Sequence, residues 1–135
     1  MNLADTAHTG TIAAPFETGL KLVRDALLRA GLSISGELDV SGSLGRDSVS
    51  CATQSRLLYV DSPLWLLEAL ALDRAAAVFL PLHVLVAEHG PETRVYWNKP
   101  AESFIGRLPV GAALPLDEIR ERVTQALKPW NGGRL

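Results

Sequence analysis

The order of patterned segments predicts an α+β fold, a two-layer sandwich whose sheet is mainly antiparallel. Three observations predict it. Two segments, Pro15–Ala30 and Leu116–Leu127, carry apolar residues at helical spacing. A third, Leu32–Val40, alternates apolar and polar residues with the period of two that marks a half-buried strand. The run from Arg56 to Pro100 then reads as a strand, a tight turn, a very apolar helix and a two-stranded hairpin. The resulting order is β-α-β-β-α-β-β-α, in which strands follow one another in pairs as antiparallel sheets require. At 135 residues the chain fits one domain spanning 1–135, and a chain of that size buries about two thirds of its unfolded surface.

Each element has its own justification. Thr9–Ala14 is short, tolerant of β structure and ends at Pro15, so it reads as a first strand. In the helix that follows, Phe16, Leu20, Val23 and Leu27 lie on one face, while Glu17, Lys21, Asp25 and Arg29 form i,i+4 pairs of opposite charge. Gly31 supplies the stop, because a helix commonly ends with a residue of positive φ. Leu32, Ile34, Gly36, Leu38 and Val40 are the expected inward face of the second strand, and the Ser- and Gly-rich stretch 41–55 is a loop. Arg56–Asp61 is the third strand. Ser62 is placed to cap a helix, with Pro63 at its first position, where a missing N–H is harmless.

That second helix, Pro63–Leu72, holds eight apolar residues broken only by Glu68. A helix apolar all round must be covered on both sides, by its own chain or by a second subunit. Few other elements remain in the chain to cover it, so homodimerisation is expected, with Leu64, Trp65, Leu67 and Glu68 at the contact. Leu82–Glu88 and Arg94–Asn98 form a hairpin around His89-Gly90-Pro91-Glu92, and a less regular segment runs from Lys99 to Pro115. Leu116, Ile119, Val123 and Leu127 share one face of the last helix, whose start carries Asp117 and Glu118, as the helix dipole favours.

Composition narrows the function. With 47% hydrophobic and 21% charged residues the chain is of ordinary globular composition, and its net charge of -2 argues against a nucleic-acid partner. Arg120 and Arg122 are interleaved with Glu118 and Glu121, so no basic patch compensates locally. The single cysteine, Cys51, excludes an intrachain disulfide and leaves no cysteine spacing for zinc. The segment Pro63–Ala87 is apolar but contains Glu68, Asp73, Arg74 and His83, and each central charge would cost roughly 2.5–3.5 kcal/mol on insertion. No membrane partner is expected. The start, MNLADTAHTG, lacks a basic region followed by an apolar one, so the expected location is the cytoplasm.

No motif announces chemistry. Gly42-Ser-Leu-Gly45 lacks the second half of a phosphate loop, and neither G-x-S-x-G nor H-E-x-x-H occurs. His83 and His89 share a strand face but stand about 20 Å apart at ~3.3 Å per residue, so no common metal ion and no cofactor is expected. His83 reads as a packed histidine with one hydrogen bond, and His89 as a solvated turn residue. Cys51, in SVSCATQS, has no basic neighbour in sequence to activate its thiol. Asp61 and Arg56, at the two ends of one strand, are the charges best placed for a pocket, with His83 and Glu88 as further candidate ligand-binding groups. A helix cap is the competing reading for Asp61.

The pattern of the chain resembles the domain of unknown function 302 family. The helix closed by Gly31, the extended Leu32–Val40, the turn Asp61-Ser62-Pro63, the apolar helix, the strand start Leu80-Pro81-Leu82 and the strand-ending Glu88 carry the resemblance over roughly residues 12 to 100. It departs where the family pattern has cysteines, since Asp61 and Leu82 stand there instead. The resemblance implies an α+β fold and a dimer, with no established activity. Two functions are therefore weighed. One is a homodimeric domain, without catalysis, that binds a small ligand or a partner protein. The other is an enzyme or metal-dependent site using Asp61 and His83.

Overall fold

The computed structural model describes residues 7–40, 53–72, 82–98 and 113–131. Its elements follow the expected order: β1 (Ala7–Ile12), α1 (Phe16–Arg29), β2 (Ser33–Asp39), β3 (Ser55–Asp61), α2 (Pro63–Leu72), β4 (Leu82–His89), β5 (Glu92–Asn98) and α3 (Ala113–Leu127), then a 3-10 turn at Lys128–Trp130. Among the described residues five strands form one sheet, ordered β1-β5-β4-β3-β2. All neighbouring pairs are antiparallel, which confirms the α+β class. Cys51 with most of its loop, Leu80-Pro81 and most of the irregular stretch after Asn98 lie outside the described residues.

Alternation along the strands decides what each face does. Ile12, Leu58, Val60, Val84, Val86, Val95 and Trp97 are buried on one face. There they meet Phe16, Leu20, Val23 and Leu27 of α1 and Ile119, Val123 and Leu127 of α3, all in one core. Burying a Val or Leu side chain is worth roughly 1.5–3 kcal/mol, so this layer supplies most of the drive to fold. The helical faces read from periodicity are the faces that pack. Gly31 takes φ +82 after α1, as its stop requires. Of the three i,i+4 pairs considered on α1, Lys21–Asp25 closes at 3.1 Å.

Several boundaries differ from expectation for local reasons. β1 starts and ends two residues early because its register runs from Ala7↔Asn98 to Ile12↔Thr93. Beyond it the chain turns: the Ala14 amide donates to Ile12 O at 2.8 Å, and Thr93 Oγ1 donates to Ala14 O at 2.9 Å. The hairpin turn is tighter than expected, with His89 opposite Glu92 and Gly90-Pro91 between them. Gly90 has φ +60, and Pro91 cannot adopt positive φ, a pairing that fits a type II′ turn. α3 begins at Ala113, so Pro115 falls in its first turn, where no N–H is needed.

The larger correction concerns β2. Its register shifts between Ile34 and Gly36: Ile34 faces Val60, but Gly36 faces Tyr59 and Glu37 faces Leu58. Ser35 is the extra residue of a β-bulge, its hydroxyl donating to Tyr59 O at 3.3 Å. One added residue reverses every later side chain. Leu38 therefore leaves the expected core face, at 40% exposure, and Glu37 turns toward the helices. There its carboxylate accepts a bond of 2.6 Å from Arg24 Nε of α1 and another of 3.1 Å from Arg56 Nη1 of β3. Hydrogen bonding from Arg24 holds Glu37 below the usual carboxylate range, against the opposing effect of burial, and Glu37 in turn raises Arg24.

Two outcomes follow for stability. A Cβ built on Gly19 of α1 would stand 2.6 Å from Thr93 Oγ1 and 2.7 Å from Thr93 Cβ. Thr93 is β-branched and fully buried, so it has no room to yield. Gly19→Ala will lower urea-unfolding stability by about 1–3 kcal/mol despite the better helix propensity of alanine. Glu37→Gln will cost roughly 0.5–1 kcal/mol at neutral pH, discounted because all three side chains are partly solvated. Because the folded state depresses the Glu37 pKa, its contribution is present above the unfolded value and is lost as pH falls through the folded one. The difference between variant and wild type in denaturant melts will therefore shrink in acid.

Candidate functional site

The four candidate ligand residues are divided by the sheet. Tyr59 pairs with His83 across β3 and β4, and Asp61 lies two residues further on, so Asp61 and His83 are diagonal neighbours on the face away from the helices. Such positions stand roughly 7–8 Å apart. Arg56 pairs with Val86, placing Arg56 and Glu88 on the helix side, at the opposite end of the same two strands. Arg56 and Asp61 are thus separated by about 16 Å along β3 at ~3.3 Å per residue. The sheet makes two pairs of them, not one cluster.

Each pair has distinct surroundings. The expectation that His83 is a packed histidine is corrected, since its side chain is exposed. Val84 and Val86 take the inward positions of β4, and alternation turns His83 out. Its ring meets Tyr59 edge-on, with centroids 5.5 Å apart. A Cβ on Gly36 would come 3.2 Å from Tyr59 Cδ2, so Tyr59 is bracketed by Gly36 on one strand and His83 on the other. No ion pair joins Asp61 to His83. On the helix side, Arg56 bonds Glu37, while Glu88 Oε1 accepts from the Gln54 amide at 3.2 Å. Both groups tie neighbouring strands together at one end of the sheet. The positions at which the family pattern expects cysteines project to opposite faces: Asp61 outward, and Leu82 against the core.

Chemically, Asp61 and His83 offer one carboxylate and one imidazole, beside a phenol, on an accessible surface. Two metal-ligating side chains fall short of the three that a catalytic zinc site uses. Among the described residues no three of His, Cys, Asp and Glu come together. His89, also exposed, sits at the far end of β4.

α2 behaves differently. Pro63, Leu64, Leu67, Glu68 and Ala71 are exposed, with Leu64 at 63% and Leu67 at 66%. They form one stripe at helical spacing, while α2 packs beside α3. The side chain of Trp65 lies outside the described ones. No helix among the described residues is long and apolar enough to cross a membrane.

Two contributors escaped sequence reasoning. Glu37 read as the outward half of an alternating strand, and only the bulge brings it to Arg24 and Arg56. Tyr59 belongs to no motif in the sequence, yet it lines the outer face. The alternation of Leu58 and Val60 around it was the available signal.

The pattern model for "Domain of unknown function DUF302" matches residues 8–129. Among solved structures, the crystal structure of an uncharacterized conserved DUF302 protein from Bacillus stearothermophilus is similar, with a TM-score of 0.76 and 18% identity over 90% of this chain and 95% of that one. That likeness shows the fold alone. Among curated proteins none matches the chain. With the match covering most of its length, the chain belongs to the DUF302 family.

Proposed function

We propose that this domain is a noncatalytic binding protein that works as a homodimer, with Leu64, Trp65, Leu67 and Glu68 of α2 at the contact between copies. The observation that carries the reading is the apolar stripe of α2. Leu64 and Leu67 remain 63% and 66% exposed beside the rest of the chain. Two adjacent leucines left in water on a helix of such apolar composition favour a protein contact. Asp61 and His83 are the groups offered to a small ligand on the outer face, and Arg56 and Glu88 those on the helix side. We further propose a cytoplasmic location, supported by the lone cysteine. Neither nucleic acid nor membrane enters as a partner, in keeping with the net charge of -2.

A second reading, an enzyme or metal-dependent site, is supported by one observation: Asp61 and His83 occupy neighbouring strands on the same face. A catalytic role would require them to act on a bound ligand with the Tyr59 phenol as their neighbour.

Light scattering coupled to size exclusion tests the dimer. The wild type should elute with the mass of two chains, and Leu67→Glu should shift the population to one chain at micromolar concentration. A single-chain mass for the wild type at every concentration would refute the reading.

A further inference from the structure

The outer face of the sheet carries apolar side chains where an antiparallel sheet with one solvated face would carry polar ones. In register across all five strands stand Thr9, Tyr96, Leu85, Leu57 and Leu38. On β3, Leu57 faces outward between Leu58 and the strand's polar start. On β4, Leu85 faces outward between Val84 and Val86. Tyr96, Leu85 and Leu57 are half-buried, and Leu38 is 40% exposed. Each central strand thus adds one large apolar or aromatic side chain, Tyr96, Leu85 or Leu57, to a single row across the outer face. Thr9, Thr11, Arg94, Ser55, Tyr59 and His83 surround this band, giving an apolar centre and a polar rim that includes one guanidinium, the anatomy of a protein interface.

We propose that a second copy of this chain covers the outer face, so that the two sheets pack against each other. The inference rests on the homodimer reading and extends its contact from α2 onto the sheet. Size is the first argument. Five strands about 4.8 Å apart and about 20 Å long present roughly 500 Å² in projection, more as accessible surface. A standard interface takes about 800 Å² from each partner, which the sheet face approaches and the α2 stripe alone does not. Leu64 is three residues beyond Asp61, at most about 10 Å along the chain.

Self-complementarity is the second argument. A contact between identical copies must pair the patch with itself. β4 is the middle strand of the sheet. A two-fold axis along it sets Leu85 on the partner's Leu85 and Tyr96 on the partner's Leu57. Apolar groups then meet apolar groups at the centre. Strands of the two sheets stay nearly aligned, as packed sheets do. His83 and Asp61 fall inside the contact, so a ligand held there would lie between subunits.

The test is the solution mass of Leu85→Lys, Leu38→Glu, Leu67→Glu and, as a control on the helix side, Leu28→Glu, whose residue is 54% exposed on α1. Leu85→Lys should weaken the dimer at least tenfold, Leu38→Glu should weaken it less, and Leu28→Glu should leave it unchanged, all with wild-type circular dichroism. A short bismaleimide should also link copies of Leu85→Cys in a Cys51→Ser background but not copies of Leu28→Cys. That measurement decides the matter if Leu85→Lys does not fold. Folded Leu85→Lys that stays fully dimeric, or no linking through Leu85→Cys, would overturn the sheet contact. Loss of dimer in Leu67→Glu alone would then leave the contact on α2. A wild type of single-chain mass would overturn both.

Discussion

The register of β3 against β4 is the constraint on which the rest of the structure depends. With Leu58 opposite Val84 and Leu57 opposite Leu85, each central strand presents one apolar set to the helices and another outward. A slip by one residue would exchange the two sets. It would also withdraw Val84 and Val86 from α1 and α3, the layer in which nearly all the fully buried side chains lie. The placement of every candidate functional group follows from this choice. Asp61 and His83 face outward because Val60 and Val84 face inward, and Arg56 lies on the helix side because Tyr59 does not.

Much of the fold was legible because its signals are local. The helical spacing of Phe16, Leu20, Val23 and Leu27 needs no partner to be read, nor does the stop at Gly31 or the Ser62-Pro63 start of α2. The hairpin was legible from Gly90-Pro91, although its turn proved tighter by the pairing of His89 with Glu92. What misled was β2. Its alternation is regular in sequence, yet the bulge at Ser35 reverses the later half. A bulge has no signature in a single chain, because it is a relation between two strands.

The candidate site was less legible for a related reason. Charged residues at strand ends are plain in the sequence, but which of them share a face depends on pairing. Arg56 and Glu88 join neighbouring strands at one end of the sheet, Arg56 through Glu37 and Glu88 through the Gln54 amide. Asp61 and His83 came together on the opposite face, with Tyr59 between them. The apolarity of α2 was legible from composition alone, whereas the exposure of Leu64 and Leu67 on it is a property of the packing.

The strand order carries a consequence for how the chain comes together in time. β2 with β3 and β4 with β5 are neighbours along the chain, the second pair joined by Gly90-Pro91 alone. β1 is different: its sheet partner is β5, and Ala7 lies opposite Asn98. During synthesis β1 precedes the other described strands and waits for the last of them, β5, before it can pair. Such a long closure is entropically slow, and until it occurs the edge of β5 is open to strands of other molecules. The isolated bridge from Gly10 to Asn131 then caps β1 with the last described residue of the chain. That edge of the sheet is thus closed by segments far apart in sequence, β1 and the residue that follows the 3-10 turn.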